Sequence, residues 1–194
     1  VTIALSKMIG EREKRERLNK TNMLVSAFFS EFGIDLMKQL ITFVNNMDEI
    51  APHLNITEEW SSKNYATASN ELKTLKIIVE SKPKYLLELR EMLEKKRETL
   101  MVILSNPALL EQEAFTDMIW AMFHLSNELL ARDRFDDLPN TDISHLNNDI
   151  RRAIQAILIH WIGYMKHTKI NYPYLFSLEM RRNPLNKEAE IIIK

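Results

Sequence analysis

The chain has 194 residues, with 26 Lys and Arg against 27 Asp and Glu, a formal net charge of −1 at pH 7, and no cysteine. The near-zero charge argues against a general nucleic-acid binder, because such proteins usually carry a basic excess. The absence of cysteine excludes disulfides, thiolate metal sites and cysteine nucleophiles within this chain. The hydrophobic content of 45% is ordinary for one globular domain of this length.

Only three glycines are present, Gly10, Gly33 and Gly163. They are too far apart to form a glycine-rich phosphate loop or a nucleophile elbow. Few glycines beside many Leu, Met, Glu and Lys favour helices. We therefore predict an all-α fold, a single bundle of about five long helices. We divide it into a charged helical stalk continuous with the next helix (residues 1–20), the bundle (21–184) and a C-terminal tail (185–194).

The first helix is predicted from Ser6 to Asn46. Its early part, EREKRER at residues 11–17, has no apolar residue but pairs acids with bases at i,i+4, which supports a solvated helix. From Leu24 onwards apolar residues recur at helical spacing and predict a buried face.

Three more helices are predicted between start and stop signals. Asn55 and Glu58 fit a capping box that opens the second helix. SKP, at Ser81 to Pro83, breaks the chain and begins the third helix. SNP, at Ser105 to Pro107, places a cap before a proline in the first helical turn and so begins the fourth. These three helices are predicted to span residues 55–79, 83–104 and 107–132.

The fifth helix, predicted from Asp142 or Ser144 to His167, is apolar nearly all round at Ala153 to Met165. A transmembrane span needs about 20 such residues, so this pattern favours a helix at the centre of the bundle. Pro173 prevents its continuation. The following YPYLFSLEMRRNP is predicted to turn back and cover the exposed end of this helix.

The amino-terminal segment suggests a membrane nearby. An apolar start, VTIALSKMI, is followed between Lys7 and Lys20 by six Lys and Arg against three Glu. This asymmetry is typical of the cytoplasmic flank of a membrane helix. We therefore expect a membrane tether upstream of Val1. The alternative is a long amphipathic first helix whose end projects into solvent or pairs with a second copy as a homodimer. The expected location is the cytoplasmic face of a membrane, or otherwise the cytoplasm.

Candidate metal ligands lie on the last two predicted long helices. Asp117, His124 and Glu128 lie near one another on one helix face, at i, i+7 and i+11, and His160 lies on the fifth helix. Helical bundles build metal sites from such residues, but the usual Glu-x-x-His signature is absent. The alternative is that Asp117 and Glu128 face solvent while His160 packs in the core. No catalytic residue, cofactor or ligand is assigned.

The charged loop that starts at Arg132 and ends at Asp137 is interpreted as solvated rather than as an acid–base pair.

Two segments carry a resemblance to other proteins. RERLNKTNMLVSAFFSEFG (Arg15 to Gly33) and HWIGYMKHTKINYPYLFSLEMRRNP (His160 to Pro184) resemble segments of uncharacterised prokaryotic membrane-anchored proteins, in which a hydrophobic anchor precedes a cytosolic all-helical domain. The resemblance favours the membrane tether, but it attaches no activity and supplies no catalytic residue. The start at Val1 and the solvated EREKRER helix favour the cytosolic interaction or sensory domain of a membrane-anchored protein. The alternatives are a metal-dependent or small-molecule enzyme with its site in the bundle core, and a soluble helical scaffold.

Overall fold

The computed structural model describes residues 2–107 and 112–193, apart from the side chains of residues 2–6, 14, 15 and 17–20. Over this part of the chain the fold is all-helical, as the composition predicts. The only extended pairing there is an isolated antiparallel bridge between Val44 and Val79. Nine α-helices are described, so a single bundle of five long helices is not confirmed.

The helices are α1 (Thr2–Phe28), α2 (Ile34–Ile41), α3 (Met47–Ile50), α4 (Ser62–Thr74), α5 (Pro83–Lys95), α6 (Arg97–Leu104), α7 (Glu113–Leu130), α8 (Asn140–Asn171) and α9 (Pro173–Arg182). A π-helical segment (Phe29–Gly33) joins α1 to α2, and a 3₁₀-helix (Ala51–Leu54) follows α3.

The predicted first helix is helical from α1 to α2, but the π-helical segment interrupts it. A Cβ on Gly33 would lie 2.7 Å from Cδ1 of Phe29 and 2.8 Å from Cε1 of Phe28. Gly33 therefore lets the wide turn close against these rings. Phe28, Phe29 and Phe32 are all buried there.

The predicted second and third helices are shorter or divided in the structure. The second helix begins after Ser61, whose side chain and backbone form a reciprocal capping box with Asn64; the proposed cap at Asn55 is therefore wrong. It ends at Thr74, and Val79 lies in the bridge to Val44. The third helix is divided at Lys96, where φ is −100° and ψ is 4°.

The predicted fifth helix corresponds to α8, which has the most extensive packing. It contacts α1, α2, α4, α7 and α9. Apolar side chains on several of its sides are buried, among them Ala153, Leu158 and Ile162. A helix that is apolar nearly all round can bury all its faces only in such a position.

The segment after Pro173 forms the short helix α9, which packs on α8 and buries Phe176. At the other end of the chain, the described side chains of residues 7–13 and 16 in α1 are exposed. Among the described residues, no helix is long and apolar enough to cross a bilayer.

Candidate metal centre

Two similar pentapeptides face each other across the contact between α7 and α8. They are HLSNE at residues 124–128 and HLNND at residues 145–149. In each, a histidine precedes a carboxylate by four residues, so both side chains lie on one face of the helix. Leu125 and Leu146, which follow the histidines, are fully buried. These leucines hold the two helices against the core, and the polar pairs then meet at its edge.

The side chains converge on one carboxylate. Nε2 of His124 lies 3.1 Å from Oδ2 of Asp149, and Nε2 of His145 lies 3.4 Å from the same oxygen. Nε2 of His145 is also 3.4 Å from Oε2 of Glu128. One ligand atom each from His124, His145 and Asp149 all lie within 4.8 Å of one another.

Burial differs sharply within this cluster. The Asp149 side chain is 4% exposed, whereas those of His124 and His145 are 46% and 48% exposed. The carboxylate therefore forms the floor of the cluster and the two imidazoles form its rim. A buried carboxylate is stable only when it is paired or ligating.

Arg132 supports the cluster from one end. Its Nη1 donates to Oε2 of Glu128 at 2.9 Å, and its Nε and Nη2 donate to the two carboxylate oxygens of Asp142 at 2.8 and 2.5 Å. The hydrogen bonds from Arg132 lower the pKa of Glu128 and the pKa of Asp142. The Arg132 side chain is only 15% exposed, so interpreting this end of the loop as solvated is wrong.

The distances fit a metal ion. Neutral imidazole nitrogen and carboxylate oxygen bind Zn²⁺ at about 2.0–2.2 Å, so tetrahedral ligand atoms lie roughly 3.3 Å apart. The two contacts of Asp149 Oδ2, at 3.1 and 3.4 Å, are close to that spacing.

The structure brings together two of the four predicted ligands, His124 and Glu128. Asp117 is exposed, two turns before His124. Nε2 of His160 donates to the carbonyl oxygen of Ala114 at 2.9 Å. His160 lies about three turns along α8 from Asp149. Burial lowers the pKa of His160, which favours a neutral imidazole packed against the core. Neither residue joins the cluster.

His145 and Asp149 are the candidate ligands that the sequence pattern did not single out. The Glu-x-x-His signature places acid and imidazole three residues apart, whereas here they are four apart. The repeated His-Leu-x-Asn-acid pentapeptide would have found both halves, since i,i+4 spacing aligns the two groups equally well.

Comparison with known proteins relates this chain to an uncharacterised family. Residues 17–181 match the family described as the C-terminal helical domain of uncharacterised protein MJ1433. Uncharacterised protein MJ1433 of Methanocaldococcus jannaschii is 37% identical over 192 residues, which cover 99% of this chain and 77% of that protein. No solved structure matches. All residues of the His–carboxylate cluster fall inside the matched range.

Proposed function

This chain belongs to the family of the C-terminal helical domain of uncharacterised protein MJ1433, and we propose that it binds one divalent transition-metal ion between α7 and α8. The ligands are His124, His145 and Asp149, with Glu128 beside them. The proposal rests on the two His-x-x-x-carboxylate pairs, which direct two imidazole Nε2 atoms at one buried oxygen of Asp149.

The donor set indicates the class of metal. Two imidazoles and one carboxylate suit Zn²⁺, Co²⁺ or Fe²⁺, whereas Ca²⁺ and Mg²⁺ prefer sites built from oxygen alone. The ligands come from two helices joined by a nine-residue loop, 131–139. An ion would therefore tie α7 to α8 and stabilise the folded state, because the unfolded chain has no such site. The domain would respond to metal by tightening this contact.

The experiment is a calorimetric titration of chelator-treated protein with Zn²⁺ or Co²⁺. The expected result is one ion per wild-type chain and no binding to the double variant His124→Asn, His145→Asn. His53→Asn is the matched control, because Nδ1 of His53 pairs with Oε2 of Glu71 at 2.7 Å without a second imidazole. The proposal fails if the wild-type chain binds no stoichiometric ion, or if His53→Asn weakens binding as much as the double variant.

A second proposal concerns α1 as an association element. Met8 and Ile9 are 68% and 51% exposed among the charged side chains of its first half. Exposed apolar groups on such a helix favour pairing with a second copy. Sedimentation with and without residues 1–20 tests this: loss of a dimer on truncation supports it, and a monomer in both cases favours the scaffold alternative. The membrane tether stays a prediction, which the reading frame upstream of Val1 would test.

A further inference from the structure

We propose that the metal centre takes an oxyanion, specifically a phosphate group, held jointly by the ion and the guanidinium of Arg152. This inference rests on the proposed metal site and names the ligand that completes it. It draws on three observations: the exposure of the imidazoles, the charge around the centre and the position of Arg152.

The ion would keep at least one coordination position open to solvent. Three side chains, His124, His145 and Asp149, offer ligand atoms within 4.8 Å of one another. The carboxylate of Glu128 is instead held by Arg132 at 2.9 Å. Zinc with three protein ligands takes water or substrate in its fourth position. That position lies on the rim, where the imidazoles are nearly half exposed.

The charge around the loaded centre favours an anion. A divalent ion adds two positive charges to the cluster, in which Arg132 and Arg152 accompany three carboxylates, those of Glu128, Asp142 and Asp149. With neutral imidazoles, the ion, the two arginines and the three carboxylates together carry one net positive charge. In a partly desolvated site this excess attracts an anion strongly.

Arg152 is placed to bind that anion. His145, Asp149 and Arg152 follow one another at i, i+4 and i+7, on one face of α8. Nη1 of Arg152 lies 3.5 Å from Oδ1 of Asp149, and the side chain is 63% exposed. Within residues 2–107 and 112–193, Asp149 is the one carboxylate paired with Arg152. Most of its donors therefore face solvent beside the ion.

Arg132 and Arg152 differ in how many of their hydrogen-bond donors are available to a ligand. Arg132 is 15% exposed and its donors are engaged by Glu128 and Asp142. Arg152 can turn its planar fork toward a ligand, and that fork matches two oxygens of a phosphate. A tetrahedral phosphate has a further oxygen for the ion. A carboxylate has only two oxygens, so pairing both with the guanidinium leaves no third oxygen for the ion.

The test is a calorimetric titration of Co²⁺-loaded full chain with inorganic phosphate, together with the visible absorption of the cobalt. Phosphate is expected to bind and to change the cobalt spectrum, since it enters the coordination sphere. Arg152→Gln, saturated with Co²⁺, should bind phosphate about tenfold or more weakly than wild type, the usual effect of losing a charge-assisted hydrogen bond. Acetate at equal ionic strength should bind more weakly than phosphate.

Arg151→Gln is the matched control, because Arg151 is the neighbouring exposed arginine and contacts Asn148 instead of the cluster. Phosphate binding equal in wild type and Arg152→Gln, or lost equally in Arg151→Gln, overturns the role of Arg152. Tighter binding of acetate overturns the assignment to phosphate. Normal Co²⁺ binding without any response to phosphate overturns this inference and leaves the metal site standing, whereas failure to bind Co²⁺ overturns the metal site itself.

Discussion

Nε2 of His124, on α7, lies 3.1 Å from Oδ2 of Asp149, on α8. This contact joins residues 25 positions apart, and a second imidazole, that of His145, reaches the same oxygen at 3.4 Å. Two such groups on one buried oxygen need either two donated N–H bonds or one shared cation.

Metal should raise the melting temperature of the wild-type protein. An ion at about 100 times its dissociation constant stabilises the folded state by about 2.7 kcal/mol, which for a domain of this size is about 5–10 °C. Asp149→Asn removes a charged ligand, so its melting temperature should not respond to Zn²⁺. Scanning fluorimetry with and without chelator measures this effect, and an equal rise in Asp149→Asn would contradict the site.

Replacing Arg132 with Met should destabilise the metal-free protein by about 2 kcal/mol. The substitution leaves Glu128 and Asp142 without their main hydrogen-bond donor. Arg134→Met is the control. Its pair with Asp137 is 3.7 Å long and both side chains are about three-quarters exposed, so its loss should cost less than about 0.5 kcal/mol. Urea denaturation compares the two variants, and equal losses would show that the burial of Arg132 is unimportant.

The destabilisation caused by Arg132→Met should shrink in acid. Hydrogen bonds from Arg132 lower the pKa of Glu128 and of Asp142 from their ordinary values of 4.5 and 3.8. A lowered folded-state pKa stabilises the protein above the unfolded-state pKa, and this stability is lost as the pH falls through the folded-state pKa. The difference in free energy of unfolding between the two proteins should therefore narrow as the pH falls below about 4.5 toward pH 3. A constant difference would contradict the ion-pair explanation.

Glu179→Gln should stabilise the protein at neutral pH by on the order of 1 kcal/mol, because a buried carboxylate is costly to ionise. Glu179 is 2% exposed. Burial, only partly offset by Arg182, raises its pKa above the ordinary 4.5. The cost is absent below the unfolded-state pKa and grows as the pH rises toward the folded-state pKa. The advantage of Gln should thus increase upward from about pH 4.5.

A control for Glu179→Gln is Glu188→Gln, since Glu188 is exposed on the C-terminal tail. Its unfolding free energy should stay within about 0.5 kcal/mol of wild type. A destabilised Glu179→Gln at neutral pH would mean that the ionised pair with Arg182 outweighs burial.

Two glycine substitutions should have opposite effects. Gly33→Ala places a methyl group 2.7 Å from Cδ1 of Phe29, and such overpacking should cost about 1–3 kcal/mol. Gly163→Ala lies inside α8 with nothing within 4 Å of the new methyl group, and should add roughly 0.5–1 kcal/mol of stability. Thermal melts of the two variants test the π-helical segment, and a stable Gly33→Ala would argue against it.

The sequence alone was enough for the fold class and for the identity of the most buried helix. Leucine-rich periodicity and scarce glycine predict helices because these are local properties of the chain. The all-round apolarity of Ala153 to Met165 likewise predicts the many-sided packing of α8. Pro83 correctly places the start of α5.

Tertiary structure decided where several helices end. The chain after Thr74 leaves the helix because residues near Val79 pair with those near Val44, with backbone hydrogen bonds from Asn45 to Ile78 and from Glu80 to Phe43. These partners lie more than 30 residues apart, so no local pattern contains them. The π-helical segment likewise depends on the packing of aromatic rings around Gly33.

For the His–carboxylate cluster, too, the contributions of sequence and of tertiary structure are distinct. The i,i+4 spacing within each pentapeptide is local, so sequence determines that each histidine shares a helix face with its carboxylate. Which faces meet depends on the antiparallel register of α7 and α8, set by buried leucines such as Leu125 and Leu146. That register brings His145 and Asp149 to His124 and leaves Asp117 and His160 apart, because hydrophobic packing fixes the relative position of the helices and the polar groups follow.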